Sequence, residues 1–154
     1  WGAKKNLRLK LTGIDLSNAA VEYAEKKQAR EINWINENVF THLKSGARYD
    51  VIMSTLFMHH FSEEEIVELL RLMRQSAGTG IIINDLQRNR LAHQSIKVLT
   101  KVFSRSYLVK NDAPLSVLRG FRKEEWEIIF KKAQFSNAEI NRRWAFRYLI
   151  VWKK

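Results

Sequence analysis

The residues best suited to chemistry sit where apolar runs give way to polar ones. Asp15 closes the strand-like run Leu7-Arg8-Leu9-Lys10-Leu11-Thr12-Gly13-Ile14, and Ser17 then opens a helix-like stretch. A carboxylate at the carboxyl edge of a strand does little for packing, but it can accept hydrogen bonds from the two hydroxyls of a ribose. Asp15 therefore predicts a nucleoside cofactor; the plainer alternative is a carboxylate favoured by the positive end of a helix. His59 and His60 follow the apolar run Tyr49-Asp50-Val51-Ile52-Met53-Ser54. Adjacent residues in an extended segment point in opposite directions, so the two histidines are not expected to chelate one metal, and no metal site is expected. A neutral imidazole can take a proton from a hydroxyl nucleophile, which makes His60, nearer the following helix, the first candidate base and His59 the second. Asp85, at the end of a further apolar run, is another candidate, although an acid preceding a turn more often caps it.

These positions need elements to hold them. Strand and helix signals alternate along the chain, which predicts an α/β domain with a largely parallel sheet. Strands are expected over 7–16, 32–36, 49–54 and 80–86, and helices over 17–29, 63–75 and 123–133. Ser17 is the expected N-cap of the first helix, with Ala20, Tyr23, Ala24 and Lys27 on one face. Ser62 and Glu65 have the spacing of a capping box, followed by Ile66, Leu69, Leu70 and Met73 toward the core. Ala92, Ile96, Leu99 and Phe103 recur at helical spacing, Pro114 marks a loop, and 138–152 alternate as two antiparallel strands joined near Arg143. In open parallel sheets ligands bind beyond the carboxyl ends of the strands, so the segments to watch are 15–17, 36–40, 54–61 and 84–86.

Composition narrows the setting. The 154 residues suit one domain and contain no cysteine, so there is no disulfide framework, thiolate metal site or cysteine nucleophile. No stretch is apolar enough to span a bilayer and no signal segment is evident, which predicts a cytoplasmic location. The chain starts at Trp1, from which a missing N-terminal portion is expected. The net charge of +11 is spread along the chain. It permits a nucleic-acid or membrane partner, but a solvated surface is the plainer reading.

The order Gly13-Ile14-Asp15-Leu16-Ser17, Glu37-Asn38-Val39-Phe40, then Tyr49 to Ser54 and His59-His60-Phe61 resembles the class I S-adenosylmethionine-dependent methyltransferases. Asp85-Leu86-Gln87-Arg88-Asn89 and Ser116-Val117-Leu118-Arg119-Gly120-Phe121 resemble the small-molecule branch, of quinone and polyketide type. The resemblance covers nearly the whole chain, read as one methyltransferase domain over 1–154 with 88–115 as a helical lid. It implies a Rossmann-like, mostly parallel sheet with helices on both faces and a C-terminal antiparallel strand pair. The family's first strand and glycine-rich loop have no counterpart, and residues 1–6 look like the end of the helix that follows them.

By the same resemblance the cofactor is S-adenosylmethionine, released as S-adenosylhomocysteine. Asp15 would hold the ribose and Leu16 would pack on the adenine. Asn38 stands where the family has an aspartate, and its carbonyl can accept the same bond from the adenine amino group. Val39 would offer its backbone N–H, while Ser54 and Thr55 would lie near the methionine part. His60, Phe103 and Arg119 would face the acceptor, Arg119 taking an anionic group. The implied reaction methylates an oxygen or activated carbon of a small aromatic or quinone-like acceptor. RNA methylation is a rival that the absence of prolines after Ser54 disfavours. A nicotinamide-dependent oxidoreductase and a non-catalytic domain of the same fold are further alternatives, and homo-oligomerisation is left open.

Overall fold

The computed structural model of the chain describes residues 5, 7–27, 32–103 and 106–154, with backbone alone for 107–109. It divides into two compact units, Trp1–Ala47 and Arg48–Lys154. The expectations for residues 1–4 and 6, and for the helix end near Ala29, lie outside the described residues.

The first unit is a β-α-β-α run: β1 (Leu11–Asp15), α1 (Asn18–Lys27), β2 (Ile32–Asn36) and α2 (Val39–Lys44). β1 and β2 pair in parallel from Leu11 opposite Ile32 to Asp15 opposite Asn36, and the helix between them packs on both. The strand predicted from residue 7 forms only from Leu11. Gly13 lies opposite Trp34, whose ring occupies the space a Cβ would need, so this strand position takes no side chain. Ser17 caps α1 as predicted, its Oγ accepting the N–H of Ala20 at 3.3 Å. Val21 is buried and Ala24 half-buried, while Tyr23 and Lys27, on one face as predicted, are exposed with the Lys27 ammonium over the Tyr23 ring.

The second unit holds β3 (Tyr49–Thr55), a 3₁₀ turn (Met58–His60), α3 (Glu63–Ser76), β4 (Ala77–Leu86), α4 (Arg90–Phe103), α5 (Tyr107–Arg119), α6 (Lys123–Lys132), β5 (Glu139–Arg143) and β6 (Arg147–Lys153). Its sheet runs β3-β4-β6-β5, with β3 parallel to β4 and the two C-terminal ladders antiparallel. The expected mixture of parallel strands and a terminal antiparallel pair is therefore present. Ser62 and Glu65 form both bonds of the capping box, and Ile66, Leu69, Leu70 and Met73 are all buried. From α6, Trp126, Ile129 and Phe130 close the same core, each side chain contributing roughly 2–3 kcal/mol by leaving water. Rings of Phe121, Trp126, Phe130, Phe135 and Trp152 follow one another at 4.6 to 5.6 Å between centroids.

One local expectation is corrected, and the expected turn near Arg143 is present. Pro114 lies inside α5 rather than in a loop, because losing one backbone bond is offset by burial of the ring. The turn after Arg143 forms without glycine: Ala145 and Phe146 adopt φ of 61° and 53°. Such left-handed residues are held by the ladders on either side, and the N–H of Gln87 donates to the Phe146 carbonyl at 2.8 Å. No helix among the described residues is long and apolar enough to cross a membrane.

Candidate functional site

In the first unit the chemistry gathers where β1 and β2 end. Asp15 is exposed; its Oδ1 accepts the N–H of Ser17 at 2.8 Å, which fixes the carboxylate before the start of α1 and leaves Oδ2 without a hydrogen bond among the described residues. Asn36, opposite Asp15, donates from Nδ2 to the carbonyls of Asp15 and Leu16 at 3.1 and 2.9 Å. This amide ties the two strand ends together, a role its place as the last residue of the second apolar run did not disclose. Leu16 is 69% exposed. Asn38 caps α2, its Oδ1 accepting the Phe40 N–H at 2.8 Å, so the carbonyl expected to meet an adenine amino group already has one partner and retains one lone pair. Val39 begins that helix, where a backbone N–H has no intrahelical acceptor. Glu37 and His42 add a pair at 2.8 Å that the sequence reading did not include.

In the second unit Ser54 and Thr55 end β3. Ser54 is buried and its hydroxyl has no hydrogen-bond partner among the described residues, while Thr55 is exposed. A buried hydroxyl left unpaired is costly and is a place for a bound group to satisfy. Leu56, next along, takes φ of 52°, a strained value for a branched side chain, with its N–H on the Asn84 carbonyl at 2.9 Å.

The histidines behave differently from the extended-segment expectation. They lie in a 3₁₀ turn, where successive residues rotate by about a third of a turn instead of alternating, and their rings sit 4.2 Å apart at 37°. Asp85 holds this turn. Fully buried, it accepts the N–H groups of Phe57 and Met58 on Oδ2 at 3.0 and 2.7 Å, with His59 Nδ1 at 2.7 Å from Oδ1. The Leu86 N–H also reaches Oδ1 at 2.7 Å. Asp85 thus caps the turn carrying the histidines, not the segment after it, and no lone pair faces open space. A carboxylate can only accept, so His59 Nδ1 is the donor.

His60, in contrast, is exposed and borders a cavity of about 510 Å³ lined also by His59, Phe61, Arg119, Phe121 and Ile129. Partial burial first, then the neighbouring His59 and Arg119, hold its pKa below the usual 6.5, against an opposing pull from Asp85. Arg119 ends α5 at the cavity rim and pairs with no acid among the described residues. Arg88, beside it, makes an ion pair: its Nη1 donates to Glu125 at 2.8 Å while Nε reaches the carbonyls of Leu118 and Gly120. Gly120 is required here, since a Cβ would meet the Leu86 carbonyl at 2.7 Å. The Phe121 N–H donates to that carbonyl at 3.0 Å. The cavity thus gathers His59, His60 and Arg119 but not Phe103, which is 80% exposed on α4. Its partners in the proposed stripe diverge as well: Ala92 is buried and Leu99 exposed.

A family model described as "Methyltransferase domain" matches residues 2–80. No curated protein gives a significant match. Among solved structures, the plantazolicin methyltransferase BpumL, in complex with a pentazolic desmethylPZN analog and SAH, is similar at a TM-score of 0.69 and 18% identity, over 99% of this chain and 70% of that one. Human N-acetylserotonin methyltransferase in complex with SAM gives 0.64 and 13%, over 94% and 40%. Magnesium protoporphyrin IX methyltransferase from Synechocystis PCC 6803 with bound SAH gives 0.60 and 14%, over 97% and 65%. At these identities the likeness is one of fold, and this chain spans 40 to 65% of the length of the solved structures matched first.

Proposed function

We propose, from the premise that this chain belongs to the methyltransferase-domain family matched over residues 2–80, that it is an S-adenosylmethionine-dependent methyltransferase acting on an oxygen or activated carbon of a small aromatic or quinone-like acceptor. The observation that carries the acceptor assignment is the cavity bordered by an accessible histidine and an arginine that pairs with no acid among the described residues. The methyltransferases of similar fold that were solved with SAM or SAH support the cofactor.

The residues present suit that cofactor. Asp15 keeps Oδ2 available for ribose hydroxyls, Leu16 offers an exposed apolar surface to adenine, and Val39 an N–H to its ring. Asn38 serves the exocyclic amine through its remaining lone pair, and Ser54 has a hydroxyl in need of a partner, with Thr55 beside it. When bound, the cofactor supplies a methyl group activated by its sulfonium.

What the chain must then do is orient the acceptor and remove one proton. His60 is proposed to accept the proton of the acceptor hydroxyl, its lowered pKa keeping the lone pair free at neutral pH. His59, fixed by Asp85 and also lining the cavity, supports the His60 ring. Arg119 orients an anionic substituent, and Phe121 and Ile129 offer apolar contact to a ring. Residues 88–115 are proposed as a lid, supported by the contact of α5 with the histidine turn. Incubation with methyl-labelled S-adenosylmethionine and a panel of phenols and quinols tests this assignment. Label should appear in at least one acceptor and fall about a hundredfold or more with His60→Gln, and labelling that ignores His60 would remove it as the base.

A further inference from the structure

Two rows run side by side along the outside of α4. Arg90, Lys97 and Lys101 fall on one line of the helix, and the residue after each, Leu91, Val98 and Val102, falls on the next. Leu91, Val98 and Val102 are 65%, 61% and 67% exposed. This is not the packed side of the helix, because Ala92 and Thr100 are buried elsewhere on its circumference. Residues 90–103 contain no Asp or Glu, and among the described residues none of the three cations is in an ion pair. The neighbouring α5 contributes a single acid, Asp112, beside Lys110 and Arg119.

We propose that this face of α4 docks the protein on the surface of an anionic lipid bilayer. The aliphatic row supplies apolar area for the acyl boundary, and the cationic row, displaced by a quarter turn, reaches headgroup phosphates with its flexible stems. Charge complementarity selects acidic lipids, each basic side chain near such a surface adding to the attraction. A nucleic acid would instead favour aromatic rings interleaved with the cations, and the row beside these cations is aliphatic. The inference uses no part of the cofactor or acceptor assignment.

Flotation of the purified full chain with lipid vesicles tests it. The chain should partition onto vesicles in which about a third of the lipid is phosphatidylglycerol at least about tenfold more than onto pure phosphatidylcholine, and less at high salt. Lys97→Glu with Lys101→Glu should lower that partition about tenfold or more, and so should Val98→Ser with Val102→Ser. All four side chains are exposed, so thermal melting of both variants should match the parent. Failure to float with the acidic vesicles would overturn the proposal, as would flotation that either double variant leaves unchanged. Binding to single-stranded RNA that depends on the lysines but not the valines, with no acidic-vesicle binding, would replace it with a nucleic-acid surface.

Discussion

A carboxylate with no solvent contact must find its partners within the protein, and Asp85 finds them in the turn that carries both histidines. Removing it strands two backbone N–H groups and the ring of His59. Asp85→Ala should therefore cost about 3 kcal/mol or more of stability in urea unfolding, and a loss below about 1 kcal/mol would show that another contact holds the turn. The sequence marked Asp85 and both histidines as chemical, but it could not say that the acid serves the histidines, because the partners are 26 to 28 residues apart and meet only when β3 and β4 pair. His60 makes a separate prediction. Its pKa lies below 6.5, so its neutral form already prevails under mildly acidic conditions, and proton removal fails only on further acidification. The rate of methyl transfer should rise with pH to a plateau, with its midpoint below that value, and His60→Gln should lose this limb. A limb centred above it would assign the proton to another group. Asp15 stood out as the end of the first strand-like run, whereas Asn36, which ties that strand end to its neighbour, looked like one polar residue among several.

Elements were legible where local chemistry alone defines them. The capping box of α3 needs only Ser62 and Glu65, three residues apart, and it forms in full. Ser62→Ala should destabilise by about 1 kcal/mol in thermal or chemical unfolding, with the cavity residues keeping their places. α5 was harder to read because Pro114 signals a break that tertiary packing overrides. Restoring the missing N–H with Pro114→Ala should raise stability by about 1 kcal/mol, the loss of buried ring offsetting part of the helix gain of about 3 kcal/mol. A destabilised variant would mean that ring packing outweighs the backbone term. The tail hairpin was legible from the alternation of Tyr148, Ile150 and Trp152, all buried, but its turn was not, since Ala145 and Phe146 carry no signal for left-handed backbone. On α4 the helical period was correct and the face was not: periodicity finds apolar residues, but only neighbours decide which of them are covered.

For the molecule as a whole, the alternating pattern gave the parallel pairs β1–β2 and β3–β4 and the antiparallel end of the second sheet, and the family match covers residues 2–80 of that run. The division into two compact units was not apparent, because no glycine- or proline-rich linker marks residue 47. The central claim, that the strand ends of the first unit receive the nucleoside part of S-adenosylmethionine, is tested most directly by titrating isotopically labelled full chain with S-adenosylhomocysteine and following backbone amide resonances. This readout registers weak binding and locates it. The amides of Asp15, Leu16, Ser17, Val39 and Phe40 should shift together and saturably, and Asp15→Ala should weaken the apparent affinity about tenfold or more through loss of a charged acceptor. Resonances that stay in place throughout the titration, or shifts that Asp15→Ala leaves unchanged, would contradict the account.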